Sequence, residues 1–466
     1  MKKRLRMTHS RSALLRHFFL PAFCWFFLAF SSCFAQSSAS TSLPVIHSDH
    51  GPNSAAAQRA HYVVLASLDG FRWDYAHRDQ AQHLLELGHD GVWAPQGMLP
   101  SYPSLTFPNH LSIITGLYPE HHGIVGNSFR DEQRQALGKS AIYSIRDASA
   151  VTDGSWYSGI PLWSLAEAQG MRTACLFWPG SEAEIAGERP SEYLKFDDHI
   201  DESRRISQVA AWLREPASQR PHFITLYFSD ADHAGHAYGP DAPETHAAIH
   251  HLDTMIGLLR DTLLATKLPI DLIVVSDHGM AKTQGPWITL SDFADLTGFE
   301  TDGPLLYAKS EADRQRVYDQ LKHASDKFVA YRLRDVPAAL HFNTNARAGD
   351  PVVIPTGPYA IRARRPANNK PGIDMANLPP AAGSHGYDPR RMPEMKASFF
   401  AAGPDIFQGK TVAPFENVNL YPWIAHILDL KLPRTAPPSD GKLNILSGSL
   451  RDRGSMGDSM TMEHKH

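Results

Sequence analysis

Apolar residues are arranged along the chain in two kinds of pattern. Short, nearly continuous apolar runs are typical of strands buried on both faces of a sheet, and they occupy residues 61–68, 173–178, 223–228, 272–275 and 397–402. Between these runs, apolar residues recur every three or four positions, as on one face of a helix, around residues 76–89, 106–117, 161–168, 203–214 and 249–263. Strands that alternate with helices predict an α/β fold with a mostly parallel central sheet and helices on both of its faces.

The stretch between residues 286 and 380 departs from this alternation. It is rich in proline and irregular, with one helical pattern near residues 311–325. We therefore expect a smaller lobe inserted into a single catalytic domain that covers residues 61–450, a length sufficient for one large core. The polar residues 451–466 are predicted to form a disordered tail.

The N-terminal 36 residues differ from the rest of the chain. Basic residues at the start are followed by a mostly apolar stretch over residues 18–30 and by small residues that resemble a cleavage site near Ala35. This pattern predicts a secretory signal peptide over residues 1–36, followed by a Ser-, Ala- and Pro-rich linker over residues 37–60. An uncleaved membrane anchor and lipid attachment at Cys33 are the alternatives, and membrane contact is expected only through this segment. We expect export, most simply to a bacterial periplasm.

Charge and cysteine content narrow the possible partners and ligands. The formal net charge is −4 and the pI about 6.7, so stable binding to nucleic acid is not expected. Two of the three cysteines lie in the predicted signal peptide, and only Cys175 remains, which excludes an internal disulfide. A metal in this protein must therefore be held by histidines and carboxylates. The sequence leaves the oligomeric state open.

Candidate metal ligands follow three of the predicted strands. Asp69 follows the first, Asp232 and His236 the third, and the adjacent pair Asp277 and His278 the fourth. The carboxyl ends of parallel strands meet at one edge of a sheet, so these side chains are expected to lie close together. A glycine-flanked turn adds His385. Mixed Asp and His ligands without cysteine suit zinc, with other divalent metals as alternatives.

Thr106 stands where the helix over residues 106–117 is predicted to begin. Its hydroxyl would lie at the positive end of the helix dipole, beside backbone N–H groups without intrahelical partners. Such a position suits a phosphate group. A lone threonine here would ordinarily be a helix cap, but the metal ligands elsewhere in the chain favour a catalytic interpretation.

These motifs occur in a characteristic order. They comprise Leu68 to Arg72, Pro103 to His110, Gly123 to Asn127, Pro161 to Trp163, Phe177 to Ser181, Asp232 to Pro240, Ser276 to Met280 and His385 to Asp388. In this combination, over about residues 61–435, the chain resembles the nucleotide pyrophosphatase/phosphodiesterase family of the alkaline phosphatase superfamily. Among its types it is most similar to bacterial, single-domain exported members. The resemblance implies an alkaline-phosphatase-like α/β fold.

The resemblance implies two zinc ions and a covalent intermediate. Thr106 would be the nucleophile that becomes phosphothreonine. One zinc would be held by Asp232, His236 and His385, and the other by Asp69, Asp277 and His278 together with Thr106.

The resemblance also implies how a substrate is bound. Asn127 would hydrogen-bond a phosphate oxygen, and Phe107 and Tyr227 would be pocket aromatics that pack on the substrate. Tyr193 is the candidate for stacking on a base.

The expected function is a two-zinc phosphodiesterase/pyrophosphatase that hydrolyses nucleotides and related diesters to nucleoside monophosphates. Alternatives are a choline-type phospholipid phosphodiesterase, a phosphomonoesterase or phosphonate hydrolase, and a non-catalytic ligand-binding relative. Monoesterases usually need an additional cation for the phosphate dianion, whereas an Asn and aromatic residues near Thr106 favour diesters. The sequence does not rank ATP, dinucleotides, nucleotide sugars, cyclic dinucleotides and lipid head groups.

Overall fold

A computed structural model describes residues 42–366, 378–433 and 438–451. The predicted signal peptide over residues 1–36 lies outside the described residues, as does all of the predicted tail except Arg451. The described residues from Leu43 onward belong to one structural unit.

The strands vary greatly in length, and the long ones coincide with the apolar runs. They are β1 (Ile46–His47), β2 (Tyr62–Leu68), β3 (Val92–Trp93), β4 (Ser128–Arg130), β5 (Ile142–Ser144), β6 (Thr173–Leu176), β7 (Glu192–Leu194), β8 (Phe223–Phe228), β9 (Ile270–Val275), β10 (Ala281–Lys282), β11 (Ile288–Thr289), β12 (Phe299–Asp302), β13 (Leu305–Ala308), β14 (Phe328–Tyr331), β15 (Val352–Pro355), β16 (Ile361–Arg362), β17 (Gly383–Ser384), β18 (Phe399–Ala402) and β19 (Lys410–Thr411).

Nine of these strands form the central sheet, in the order β1-β7-β6-β8-β2-β9-β18-β3-β19. The five strands from β7 to β9 in this order are parallel, which confirms the prediction of a mostly parallel sheet. The strand predicted over residues 397–402 is present as β18, but it runs antiparallel to β9 and to β3, and β19 follows it in the chain. A continuous apolar run shows that a strand is buried and carries no information about its direction.

The helices lie mainly between the strands. They are α1 (Tyr75–Arg78), α2 (Gln82–His89), α3 (Thr106–Thr115), α4 (Pro119–His122), α5 (Glu132–Ala136), α6 (Ala148–Val151), α7 (Leu162–Glu167), α8 (Glu202–Leu213), α9 (Asp230–Tyr238), α10 (Pro243–Ala265), α11 (Glu311–Leu321) and α12 (Leu420–Ile427). The helix predicted over residues 76–89 is divided in two, with Gln80 between the halves at a φ of +53°. Among the described residues, we find no helix with the length and apolarity that a membrane span requires.

Alternate residues of β2 face two separate hydrophobic clusters, as expected for a strand buried on both sides. Val63 and Leu65 belong to the cluster that contains the apolar faces of α3, α7 and α12. Val64, Ala66 and Leu68 belong to the cluster that contains those of α2, α8 and α10. Helices therefore cover both faces of the sheet, as predicted.

A third hydrophobic cluster extends from Ile288 to Ala363 and includes Val317 and Leu321 of α11. Around it, β12 pairs with β13, β14 with β15, and β11 with β16. These elements occupy most of the stretch predicted as an inserted lobe, and we call residues 287–363 the lobe.

Part of the segment predicted as a linker over residues 37–60 is attached to the central sheet. Ile46 and His47 form the edge strand β1, which pairs antiparallel with β7. Leu43 is buried in the same cluster as α2 and α10. A two-residue edge strand is held by backbone hydrogen bonds to a distant segment, so it leaves no periodic pattern in the local sequence.

The N-terminus of α2 is capped by a side chain from another helix. Ala81 precedes α2 and has no side chain that could accept a hydrogen bond. Instead, Asp253 in α10 accepts hydrogen bonds from the backbone N–H groups of His83 (3.2 Å) and Leu84 (2.9 Å). Two otherwise unpaired helix donors are thus satisfied across a buried helix contact.

We expect Asp253→Ala to lower the free energy of unfolding by about 2–4 kcal/mol, because it leaves two N–H groups at the start of α2 without an acceptor. Urea denaturation of the wild-type and variant proteins measures this. The control is Asp261→Ala on the exposed side of the same helix, which should change the free energy by less than about 0.5 kcal/mol. Equal effects of the two substitutions would refute the capping role.

Candidate metal centre and active site

Three adjacent strands deliver the candidate ligands to one edge of the sheet. The strands β8, β2 and β9 are neighbours in parallel register. Asp69 directly follows β2, Asp277 lies two residues after β9, and Asp232 is in the first turn of α9, which follows β8. The convergence expected from the sequence is therefore present.

Glycine at position 70 permits the close approach of two of these carboxylates. Gly70 has a φ of +67°, and a Cβ there would lie 2.9 Å from the Cα of Asp232. A side chain would push apart the segments that carry Asp69 and Asp232.

His385 reaches the site through an antiparallel strand pair and is held by the loop before Thr106. The strand β17, which immediately precedes His385, pairs with β10, which closely follows His278. The Nδ1–H of His385 donates to the carbonyl oxygen of Ser104 at 2.9 Å, and the N–H of Gly386 donates to the Ser104 hydroxyl at 3.1 Å. A metal-ligand candidate and the nucleophile candidate are thus anchored in the same loop.

The three candidate histidine ligands share one hydrogen-bonding arrangement. Each Nδ1 lies 2.9 Å from a backbone carbonyl oxygen, and the acceptors for His236, His278 and His385 belong to Gly383, Gly279 and Ser104. A carbonyl oxygen only accepts, so Nδ1 carries the proton in each ring. In a neutral imidazole the lone pair is then on Nε2, the atom that faces the site and would bind a metal.

The ligand atoms form two groups with spacings that suit a metal ion. In the first group, Asp232 Oδ1 lies 3.4 Å from His236 Nε2 and 3.5 Å from His385 Nε2, and the two Nε2 atoms are 3.0 Å apart. Tetrahedral zinc with ligand distances of about 2.0–2.1 Å would separate its ligands by about 3.3 Å. We call Asp232, His236 and His385 the first ligand set.

In the second group, His278 Nε2 lies 3.0 Å from Asp277 Oδ2 and 3.4 Å from Asp69 Oδ1. We call Asp69, Asp277 and His278 the second ligand set. The two sets adjoin, because the rings of His278 and His385 stack at 3.6 Å. Ligand atoms of Asp232, His278 and His385 also lie within 4.8 Å of one another, so His278 stands at the boundary between the sets.

Each carboxylate contributes one buried oxygen without a hydrogen-bond partner. These oxygens are Oδ1 of Asp69, Oδ1 of Asp232 and Oδ2 of Asp277. Burial and the negative charges of Asp277 and Asp232 raise the pKa of Asp69 well above its usual value. Three buried carboxylates so close together are unfavourable unless a cation compensates their charge, so this donor set fits divalent metal ions.

His385 of the first ligand set is favoured in the neutral form that can bind a metal. Burial, followed by the positive charges of His278 and His236, lowers the pKa of His385 well below its usual value. A neutral His385 keeps its Nε2 lone pair at physiological pH.

Thr106 is the first residue of α3, and its Oγ1 lies 3.3 Å from Nε2 of His278. The N–H of the next residue, Phe107, donates to Asn127 Oδ1 at 3.1 Å. Because Oδ1 of Asn127 accepts this bond, Nδ2 is the atom of the same amide that can donate a hydrogen bond to a ligand. Thr106, the start of α3 and Asn127 are therefore brought together, as the sequence predicts.

Asn109 fixes the loop that leads into α3. Its Oδ1 accepts from the N–H of Ser101 (2.7 Å), and its Nδ2 donates to the carbonyl oxygens of Pro103 (3.0 Å) and Leu105 (2.9 Å). Asn417 Nδ2 donates to the same Oδ1 at 2.9 Å. This buried amide has a full set of partners, which restricts the position of Thr106.

The predicted aromatic residues differ in their placement. Phe107 is partly buried and packs edge-on against Tyr143. Tyr227 is buried, and its hydroxyl donates to Asp69 Oδ2 at 2.5 Å, so it positions a ligand carboxylate instead of forming an open pocket wall. Tyr193 lies in β7, where it is 9% exposed and packed in the core, so the structure does not present it for stacking on a base.

Phe196 is an aromatic residue near the site that the sequence interpretation missed. Its side chain is 51% exposed, and its ring centroid lies 6.0 Å from that of Tyr227 and 5.6 Å from that of Phe177. An aromatic residue flanked by Lys195 and Asp197 was the available signal.

A cavity of about 340 Å³ opens beside the ligand sets. Asn127 and His385 line it on the catalytic side, and Trp287, Asp302 and Tyr359 line it on the side of the lobe.

The chain is similar to one known protein family over most of its length. Residues 63–388, more than two thirds of the chain, match the family model described as type I phosphodiesterase / nucleotide pyrophosphatase. An uncharacterised pyrophosphatase/phosphodiesterase of Schizosaccharomyces pombe is 34% identical over 400 residues, which cover 81% of this chain and 78% of the relative.

Vertebrate relatives are longer. Human ectonucleotide pyrophosphatase/phosphodiesterase family member 1 is 31% identical over 407 residues, covering 84% of this chain and 42% of the human protein. A venom phosphodiesterase of Crotalus durissus collilineatus is 31% identical over 401 residues, covering 82% of this chain and 46% of the venom protein. The chain thus spans less than half the length of these two relatives.

Solved structures of similar proteins have the same fold. Murine ectonucleotide pyrophosphatase/phosphodiesterase 5, described as an inactive threonine-to-alanine variant in complex with AMP, has a TM-score of 0.74 and 26% identity, covering 84% of this chain and all of the murine chain. The human counterpart has a TM-score of 0.75. The alkaline-phosphatase-like α/β fold is therefore confirmed, and the chain belongs to the type I phosphodiesterase/nucleotide pyrophosphatase family, whose members are hydrolases of phosphodiester and phosphoanhydride bonds.

Proposed function

We propose that the protein is a two-zinc phosphodiesterase/pyrophosphatase that converts nucleotides and related phosphodiesters to nucleoside monophosphates through a covalent phospho-Thr106 intermediate. The observation that carries this proposal is the position of the Thr106 hydroxyl. It stands at the start of α3, 3.3 Å from His278 Nε2 and beside two groups of metal-type ligands.

The two ligand sets would hold the metal ions. The first set would bind one zinc, and the second set together with Thr106 would bind the other. When bound, the two ions supply Lewis-acid chemistry, since they lower the pKa of coordinated hydroxyl groups and neutralise charge on the phosphate.

The remaining chemistry belongs to the chain itself. Thr106 Oγ1 forms a bond to phosphorus while the bond between phosphorus and the leaving oxygen breaks, and water then hydrolyses the phosphothreonine. The N–H groups at the start of α3 and Nδ2 of Asn127 are placed to stabilise the non-bridging oxygens.

Two further observations support this mechanism. The murine relative described as inactive carries a threonine-to-alanine substitution and is in complex with AMP. In this chain, Tyr227 donates to Asp69 while the exposed Phe196 packs on Tyr227. Phe107 and Phe196 are therefore our candidates for contact with the retained nucleoside, and Tyr227 is a positioning residue.

We also infer that the protein is exported, most simply to the periplasm. The basic and apolar pattern of residues 1–36 supports this. Relatives whose names identify them as ectonucleotide or venom enzymes give independent support.

We expect Thr106→Ala to remove nearly all turnover of a nitrophenyl nucleoside-monophosphate diester while the variant folds and retains its metal. The loss follows from removal of the attacking oxygen. Steady-state rates, circular dichroism and metal analysis together test this expectation. Thr106→Ser, which keeps a hydroxyl, should retain measurable activity, and full activity of the alanine variant would refute the assignment.

We expect Asp277→Asn to reduce the bound zinc from two ions per chain toward one and to lower activity by orders of magnitude, because one charged ligand of the second set is lost. Elemental analysis after dialysis measures the metal directly. Asp319→Asn in the exposed part of α11 is the control. Retention of two zinc ions by the Asp277 variant would show that the ligand is wrongly assigned.

We expect Asn127→Ala to lower kcat by about 10²–10³, as for loss of one donor to a developing negative charge. Asn127→Asp distinguishes this role from support of the loop, since its carboxylate can still accept from Phe107 N–H but offers no donor. If the aspartate variant were as active as the wild type, Asn127 would act only by holding α3.

A further inference from the structure

The cavity beside the ligand sets has the size of a small-molecule site. Its volume of about 340 Å³ lies within the usual range of about 300–1,000 Å³. Asn127 and His385 form its border with the active site, so a group bound in the cavity would be adjacent to the phosphate of a bound diester.

The residues that line the cavity place it on the leaving-group side of the reaction. His385 is the member of the first ligand set that lines the cavity, together with Leu105 and Asn127 beside the start of α3. None of Asp69, Asp277 and His278 of the second set lines it. Thr106 Oγ1 lies next to His278, and in-line displacement sends the leaving group away from the attacking oxygen. The leaving group therefore departs toward His385 and the cavity.

The charge of the cavity disfavours a phosphate chain. Among the described residues that line it, none is a lysine or an arginine. Its acidic group is Asp302, a partly buried residue whose Oδ2 accepts from the Ser128 hydroxyl at 2.7 Å. Among the described lining residues, a pyrophosphate leaving group would meet the Asp302 carboxylate and no basic side chain. The guanidinium of Arg362 lies 5.5 Å from the centre of the Trp287 ring, but Arg362 does not line the cavity.

The remaining lining is suited to a flat, neutral group. Trp287 and Tyr359 come from the lobe side, and Phe342 and Val352 add apolar surface. Aromatic side chains bind nucleobases by stacking, which is tolerant of the identity of the base. Asp302 adds an acceptor for the hydroxyl or amino donors of such a group.

We propose that this cavity is a leaving-group site. It binds a neutral alcohol that carries an aromatic group, such as a nucleoside, in preference to a phosphate chain. The inference rests on the proposed phosphodiesterase function and specifies the class of substrate that the enzyme hydrolyses. Dinucleoside monophosphates and related diesters are preferred over nucleoside triphosphates. Trp287 and Asp302 are its specificity-determining residues.

The first experiment compares two substrates that both release AMP. They are adenylyl-(3′→5′)-adenosine, with a neutral leaving nucleoside, and ATP, with a pyrophosphate leaving group. We expect the wild-type enzyme to show a higher kcat/KM for the dinucleotide. We expect Trp287→Ala to lower that value by about 10- to 100-fold, the range for loss of one stacking contact, while the value for ATP stays within about twofold.

Two further variants sharpen this comparison. Phe293→Ala is the matched control, because Phe293 is an exposed aromatic of the lobe that does not line the cavity, and both kcat/KM values should remain near those of the wild type. Asp302→Asn removes a negative charge and should raise kcat/KM for ATP severalfold relative to the dinucleotide. A higher wild-type kcat/KM for ATP, or equal losses of both activities in Trp287→Ala, would overturn the proposal.

The second experiment measures binding without turnover. In Thr106→Ala protein saturated with AMP, adenosine should bind at a further site, detected by titration calorimetry, and the same titration in a Thr106→Ala, Trp287→Ala double variant should show none. Absence of adenosine binding to the single variant would overturn the cavity assignment even if the enzyme is active. If neither substrate is hydrolysed but adenosine binds in a Trp287-dependent way, the proposed catalysis fails and the cavity remains a nucleoside site.

Discussion

The close approach of three buried carboxylates is the constraint on which the rest of the site depends. Asp69, Asp232 and Asp277 reach one place because β8, β2 and β9 are adjacent and parallel, and each presents a buried oxygen without a hydrogen-bond partner. Such an arrangement is unfavourable without cations, since like charges in a medium of low dielectric repel strongly. A metal-binding role for this edge of the sheet explains three features together. They are the unpaired oxygens, the Nδ1–H bonds of three histidines and the glycine at position 70.

The loop before α3 couples Thr106, the candidate nucleophile, to the first ligand set. Ser104 holds both His385 and Gly386, while Asn109 holds the carbonyls on either side of Ser104. Thr106 follows two residues later, so its position and that of His385 depend on the same short segment. Buried polar networks with all partners present restrict motion in this way, and they give the Thr106 hydroxyl a defined position relative to His385, a candidate metal ligand more than 270 residues away in the chain.

The architecture separates chemistry from specificity. The ligand sets and Thr106 lie at the edge of the central sheet, whereas the lobe has its own hydrophobic cluster and contributes Trp287, Asp302 and Tyr359 to the adjacent cavity. The lobe also packs against the main core, because its residues Phe342, Val352 and Ile354 belong to the cluster that contains the apolar faces of α3, α7 and α12. The family relationship accordingly defines the class of reaction, and the lining of the cavity is the part of this chain that bears on which leaving group is accepted.

The sequence by itself determined the parts of this protein whose signals are local. Continuous apolar runs predicted the long strands, the Asp and His residues that follow three of them predicted the candidate ligands that the fold brings together, and Thr106 stands at a helix start as its neighbours predicted. Only the tertiary structure decided the antiparallel direction of β18 and the pairing of the two-residue strand β1, because backbone hydrogen bonds to distant strands stabilise both. The tertiary structure also determines that Tyr227 donates a hydrogen bond to Asp69, that Tyr193 is buried and that Phe196 is exposed near the site. These roles depend on which side chains meet across the fold, and an aromatic residue looks the same in the sequence whether it fills a core, orients a carboxylate or faces a ligand.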